Sequence, residues 1–420
     1  MAAIFGIGKM TQQTGDRRDV IILGGGLVGL SQALTLAAHG ISSHIVDRAD
    51  PQAMRAEAFD GRTFAISSSS VAMFEAVGLG DALAGKGCPI ETIWVSDQLK
   101  PGALDFVPDE GEGALGMMFE SRVLRIALHD AVAAHPLIAE HAPVTILAKD
   151  RGDHGVSITL ADGRRLEGAL LIVAEGRHSE TRDEAGLTPA RWQYDHVAIV
   201  GAITHEKPHG NIAYEIFYPE GPFAMLPMLD EPDGRHRSAI VWSVSRAHAP
   251  TYLKLSERAF LAEMQKAMKG MLGEIAMASP ISSYPLGFHH TAKITANRLA
   301  LVGDCAHGLH PIAGQGVNLG FRDVAALTEV LVEGARLGLE PGDAQLLARY
   351  ERWRAADALS VATSTDGLTR LFSIPGRTAS AVRRFGLGLV RATPPLKRMF
   401  IAEARGTAGK LPKLLQGASI

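Results

Sequence analysis

Apolar residues fall into two patterns along this chain. The first is a short unbroken run ending at glycine: Val20-Ile21-Ile22-Leu23 before Gly24, and Leu299-Ala300-Leu301-Val302 before Gly303. Runs of this length predict strands of a parallel sheet buried on both faces. A helical stretch follows each, Leu27 to His39 stopped by Gly40, and about Val317 to Leu337. Ser43-His44-Ile45-Val46 reads as a further short strand. The second pattern fills the middle of the chain, where Ala198–Thr204, Ala213–Tyr218, Phe223–Met228 and Ser238–Ser245 predict a mostly antiparallel sheet. The expected class is α/β (α+β overall). Residues 18–75, 100–190 and 285–365 form a Rossmann-like unit, and 76–99 and 191–284 form an inserted β-sheet domain. Residues 1–17 read as a flexible extension, and 366–420 as a basic amphipathic helical tail.

The chemistry sits where strands end. After the first strand comes Gly24-x-Gly26-x-x-Gly29, followed about twenty positions later by Asp47. Gly24 allows the tight turn, Gly26 lets backbone N–H groups approach phosphate, and Gly29 lets helix and strand pack closely. The helix start favours a pyrophosphate, and Asp47 can accept from ribose hydroxyls. Leu27, Val28 and Arg48 flank these groups and join the candidate binding set. The second cluster begins at Gly303-Asp304, with Asp304 at a strand's carboxyl end, placed to accept from a polyol such as a ribityl chain. His310-Pro311 and Gly314-Gln315-Gly316-Val317-Asn318-Leu319-Gly320 follow and lead into the long helix. Three glycines in seven residues permit close backbone approach, and a helix start there would stabilise the anionic ring of a reduced flavin. Two dinucleotide-directed clusters so far apart in sequence point to a flavoenzyme binding FAD non-covalently.

Composition narrows the alternatives. The chain has 420 residues, 46% hydrophobic and 21% charged, enough for two or three units with sizeable cores. Cys88 and Cys305 form neither a metal spacing nor a disulfide framework, which fits a reducing cytoplasm. The 16 histidines lack supporting ligand patterns, so no metal site is expected. No run of 18 apolar residues is present to span a bilayer. Residues 366–420 carry ten Lys or Arg against two acids, a net +8 in a chain of net −3. This tail either lies on the inner face of a cytoplasmic membrane or packs on its own core. Nucleic acid is not an expected partner.

The run Gly303–Val324, GDCAHGLHPIAGQGVNLGFRDV, resembles the flavin-binding signature of the class A flavoprotein aromatic hydroxylases, the para-hydroxybenzoate hydroxylase superfamily. More narrowly it is similar to the ubiquinone-biosynthesis monooxygenases, the UbiH/UbiF/VisC group. Asp60-Gly61-Arg62-Thr63-Phe64-Ala65-Ile66 resembles the group's D-x-R-x-x-A-[LI] motif, and Glu120-Ser121-Arg122-Val123-Leu124 its R-x-x-L helix. Leu171 to Arg182 resembles the A-D-G-x-x-S-x-x-R segment, with Glu175-Gly176 where the family carries Asp-Gly. The resemblance spans about residues 18–415. It implies that Arg62, Arg122, Glu175 and Gly176 reach cofactor, and that NAD(P)H is the electron donor. The substitution at Glu175 puts the nicotinamide contact in doubt but not FAD. Arg177 and Arg182 read as either phosphate ligands or a solvated pair.

The implied reaction is hydroxylation of a polyprenylated phenol with O2 through a flavin 4a-hydroperoxide, with other ubiquinone-biosynthesis proteins as candidate partners. Pro311 would abut the flavin, and His310 would assist proton movement or serve as a structural hydrogen-bond partner. The inserted sheet would roof the substrate, its pocket lined by Ile216, Tyr218, Phe223, Met225 and Pro227, which read equally well as core. Two other readings share the motifs: a non-hydroxylating flavoprotein reductase of a lipid, and a scaffold subunit of a quinone-synthesis complex.

Overall fold

The computed structural model describes residues 16–56, 58–308, 315–355, 386 and 388–420. The unbroken apolar runs form the centre of a six-stranded sheet. Its order is Thr295–Ala296, Leu299–Leu301, Leu170–Val173, Val20–Leu23, Ser43–Val46, Ile138–His141. All neighbours pair in parallel except the first two. Val20, Ile21 and Ile22 are fully buried, as are Leu170 to Val173, in a core shared by the helices and by Val156, Ile158, Leu160 and Leu166 of strands Gly155–Leu160 and Arg165–Gly168. Helix Leu27–Ala37 ends close to its expected stop, with Gly40 left-handed at φ +83°. The long helix runs Gln315–Arg336, beginning two residues earlier than the apolar pattern indicates.

The middle of the chain builds a nine-stranded sheet. Its path is His307–Gly308, Ser282–His290, Ala190–His205, His236–Ser245, Gly221–Met228, Ile212–Tyr218, Thr92–Asp97 and Leu104–Phe106, with Ile275–Met277 beside Ala190–His205. Pairing is antiparallel throughout except between Ile212–Tyr218 and Thr92–Asp97. Two boundaries expected from sequence cut through this sheet, since Leu104–Phe106 and Ser282–His290 both belong to it. Helix Glu257–Met268 lies against one face, burying Phe260, Met264 and Met268 with Ile216, Phe223, Met225 and Trp242. The other face looks toward the six-stranded sheet.

The last residues of the tail close on the core. Leu414, Leu415 and Ile420 join the main hydrophobic cluster. Polar ties add direction: Lys413 N–H donates to Glu329 at 2.7 Å, Arg322 to the Ala408 carbonyl at 2.6 Å, and Arg336 to the Ile420 carbonyl at 2.8 Å. Residues 408–420 therefore pack on the protein itself. Helix Pro394–Arg405 also packs on the protein, burying Ile401 and pairing Arg405 with Glu112 at 2.8 Å, but leaves Arg391, Arg398 and Met399 exposed on or beside it. Among the described residues no helix is long and apolar enough to cross a membrane.

Candidate active site

Only hydrogen fits at two positions of the first glycine turn. Gly24 sits at φ +109°, and a Cβ there would lie 2.4 Å from the Ala174 carbonyl oxygen. A Cβ on Gly29 would lie 1.8 Å from the Gly24 carbonyl oxygen. Gly26 is different: it caps helix Leu27–Ala37, and a Cβ would meet nothing within 4 Å. The turn is closed toward the sheet and open toward a cavity, leaving the helix's first N–H groups facing it. Asp47, at the end of Ser43–Val46, accepts from the N–H of Gly25 and from that of Ala49, the latter at 2.6 Å. Its carboxylate therefore stiffens the turn. Arg48 beside it is exposed.

The second cluster meets the first across Val28. Gly303 is left-handed at φ +68°, and Cβ atoms on Gly303 and Gly320 would lie 3.1 Å and 2.9 Å from Val28 methyls. Gln32 and Thr35 of one helix hydrogen-bond to Thr328 of the other, at 2.8 Å and 2.9 Å. Behind Gly303 lies a buried ion pair. Asp323 accepts from the Gly303 N–H at 2.9 Å and from Arg354 Nε at 2.6 Å, both ionic side chains being 0% exposed. Tyr350 donates to the Leu301 carbonyl at 2.8 Å. The strand end bearing Asp304 is thus fixed from behind. In front, no described residue hydrogen-bonds to the Asp304 carboxyl. Burial raises its pKa, and Arg177 opposes the shift. A group held in this way needs a hydroxyl-bearing or cationic partner.

Between the two motifs and the nine-stranded sheet lies a cavity of about 780 Å³. Gly26, Leu27, Val28, Gly176, Asp304, Gly316 and Val317 reach it from the cofactor side, together with Arg177 and Thr63 to Ala65. The sheet supplies Ala198, Val200, Glu215, Pro222, Ala224, Leu226, Val241, Ser243 and Tyr284.

None of the five pocket residues expected from sequence is among them. Ile216, Phe223 and Met225 are at most 1% exposed inside the core under helix Glu257–Met268. Tyr218 donates to the Ala267 carbonyl, and Pro227 is buried on the Phe223 face of its strand. Side chains alternate across a strand, so an error of one position exchanges core for cavity. Met225→Ala is therefore expected to cost about 2–5 kcal/mol in urea unfolding. Leu226→Ala should change stability far less and instead shift substrate KM. Equal stability losses would contradict this assignment of faces.

Other expected cofactor residues are held elsewhere. Arg62 is paired with Asp60 at 2.6 Å, and Arg122 with Glu120, which also holds Arg237 at 2.6 Å. Glu175 accepts from Ser179 Oγ at 2.6 Å and from the Thr181 hydroxyl at 2.9 Å. It also accepts from the Thr181 N–H at 3.2 Å beside the Ser179 cap of helix Glu180–Glu184, and it is not among the residues lining the cavity. Arg182 is fully buried and donates to the carbonyls of Arg177 and Cys305 at 3.1 Å and 3.2 Å. It is neither a phosphate ligand nor a solvated residue; it ties two cavity loops together. Asn318 uses both ends of its amide, accepting from Ser67 N–H at 2.9 Å and donating to the Ala65 carbonyl at 2.8 Å. It anchors the helix start to the cavity wall. His310, Pro311 and Gly314 lie outside the described residues, as does the side chain of Gln315.

Among the described residues one group of potential metal ligands, Asp16, His44 and His141, comes together away from the cavity. The two imidazoles hydrogen-bond to each other at 3.0 Å, and the Asp16 carbonyl and Arg164 engage their outer nitrogens at 3.0 Å and 3.1 Å. Burial, the neighbouring His44 and Arg164 push His141 down to about 4, and burial lowers His44 as well.

A pyrophosphate-type turn, a second glycine cluster meeting it, and a sheet-roofed cavity between them define a flavin-dependent monooxygenase. The chain belongs to the family described as FAD binding domain, which matches residues 17–365. It is 39% identical over 416 residues to the ubiquinone hydroxylase UbiL of Rhodospirillum rubrum, covering 98% of this chain and 96% of that protein. It is 31% identical to the 3-demethoxyubiquinol 3-hydroxylase of Escherichia coli, covering 94% and 100%. Among solved structures, the p-nitrophenol 4-monooxygenase PnpA of Pseudomonas putida shares the fold at a TM-score of 0.76 and 16% identity, covering 94% of this chain and 99% of that one.

Proposed function

We propose that this protein hydroxylates the ring of a polyprenylated phenol in ubiquinone biosynthesis, using FAD, NAD(P)H and O2. The observation that carries the reading is the single cavity joining both glycine motifs to an apolar sheet wall. The hydroxylase names of the two relatives support the choice of substrate.

The residues present fit FAD. Gly24 and Gly29 leave no room for a side chain, Gly26 is open, and Asp304 is a half-buried carboxyl without a hydrogen-bond partner among the described residues. On this reading the N–H groups of Leu27 and Val28 hold pyrophosphate, and Asp304 holds the ribityl hydroxyls. Gly316 and Val317 abut the ring system at the helix start. The bound flavin supplies the redox chemistry and the reaction with O2. The chain's own work is to orient the substrate ring and exclude water, which the walls Ala198, Val200, Ala224, Leu226 and Val241 do. We assign the exposed Leu389, Arg391, Arg398 and Met399 to contact with the membrane surface where a polyprenyl substrate resides.

Asp304→Ala removes a charged acceptor and is expected to weaken FAD binding by about 10–100-fold, as hydrogen bonds to charged groups are worth about 1.5–3 kcal/mol. The physiological test is the quinone profile of cells lacking the gene, restored with the natural or the Asp304→Ala protein. Accumulation of a prenylated phenol one oxygen short, relieved only by the natural protein, is the expected result. A normal quinone profile in the deletion strain would overturn the ubiquinone assignment.

A further inference from the structure

One ionisable side chain in the cavity has no role in holding the cofactor. Glu215 projects from the middle of strand Ile212–Tyr218 on the face that looks into the cavity. Its register partners are Val95 on one side and Ala224 on the other. The same row continues across the sheet through Val241 and Val200. A carboxyl therefore stands alone in a row of small apolar residues. No hydrogen bond or ion pair from any described residue reaches it, and no charged group contributes to its titration. The other ionisable groups lining the cavity are Asp304, Arg177, His178 and Tyr284, all on other elements. Glu215 is half-buried and lines the cavity. A carboxyl without a partner in such a place destabilises the fold and would be selected against unless it acted on something bound there.

We propose that Glu215 is the proton acceptor for the phenolic hydroxyl of the substrate during ring hydroxylation. This rests on the substrate class proposed above and adds a catalytic residue to it. The phenolic O–H bond breaks, the proton passes to a Glu215 carboxylate oxygen, and the bonding pair stays on the phenolate oxygen. That charge enriches the ring carbons ortho and para to it; one of them forms a C–O bond to one oxygen atom of O2 and gives up its own proton to solvent, while the other oxygen atom leaves as water, the two electrons coming from NAD(P)H. The proton returns when the product phenol re-forms. Desolvation alone pushes the carboxyl up to about 7, so at neutral pH it is poised to accept and to give back a proton.

The test uses the full FAD-loaded chain with NAD(P)H, O2 and a farnesylated phenol. Glu215→Gln should keep its FAD content, yet hydroxylate about 10²-fold more slowly or worse. The reducing equivalents should appear as hydrogen peroxide instead of product. The hydroxylation rate of the natural protein should show an inflection near neutral pH, which Glu215→Gln lacks and Glu215→Asp partly restores. A Glu215→Gln protein with natural coupling and an unchanged pH profile overturns the proposal.

If the natural protein does not hydroxylate the farnesylated phenol, the substrate reading fails, and Glu215 is then judged with para-cyanophenol. The nitrile stretch of this probe reports its ionisation. Phenolate bound at neutral pH by the natural protein but not by Glu215→Gln supports the role. The same ionisation state in both proteins removes it.

Discussion

Arg354→Met is expected to destabilise the protein by about 3–5 kcal/mol, because it takes the paired guanidinium from a buried carboxylate. Asp323 is 0% exposed and would lose the guanidinium 2.6 Å away. The same carboxylate accepts from the Gly303 N–H, so the damage reaches the strand end that carries Asp304. Replacing both partners, as Asp323→Leu with Arg354→Met, should recover part of the loss, since two apolar groups leave no buried charge. Urea unfolding of the four proteins without FAD gives the comparison. A single variant within about 0.5 kcal/mol of the natural protein would sink the assignment.

Gly26→Ala is expected to separate cofactor binding from folding. Its φ of −78° suits alanine, and the new methyl meets no protein atom within 4 Å. The cost without FAD should be about 1 kcal/mol or less, the usual scale for alanine at a helix N-cap. The methyl does intrude on the open side of the turn, where the pyrophosphate is proposed to lie. FAD affinity should then fall about 10²-fold or more, which is about 2.7 kcal/mol. Flavin fluorescence titration measures this directly. Gly29→Ala is the contrasting case, since its methyl would collide with the Gly24 carbonyl and disturb the fold itself. Full FAD retention by Gly26→Ala would remove the pyrophosphate from this turn.

The two patterns of the sequence differed in how much they disclosed. Val20–Leu23 and Leu299–Leu301 were legible because a strand buried on both faces is apolar at every position, and each run stops at a glycine. The same property hid the pocket. Gly221–Met228 reads GPFAMLPM, with no polar residue to mark a face, so periodicity could not separate Met225 from Leu226. In Ile212–Tyr218 the signal was present and unused: Glu215 is the one charge in an otherwise uncharged strand, opposite in parity to Tyr214, Ile216 and Tyr218. The partners of Asn318 and the Cys305 carbonyl that Arg182 holds lie in distant elements, and no local pattern predicts such tertiary bonds. Glu175 illustrates the remaining difficulty. Motif position placed it near a cofactor, while its side chain bonds to residues four and six places ahead.

The strand order of the cofactor sheet has a consequence for biosynthesis. Val20–Leu23 pairs with Leu170–Val173, which in turn pairs with Leu299–Leu301. A ribosome adding about 5–20 residues per second needs on the order of tens of seconds between the first and last of these strands. Throughout that interval the nascent chain presents an apolar strand with an unpaired edge, a template for wrong pairing. Yield in an expression host should therefore respond to elongation rate and to chaperones that shield strand edges. Flavin can secure the assembled site only after Asp304 has been made, so adding riboflavin helps finished chains and does nothing for growing ones.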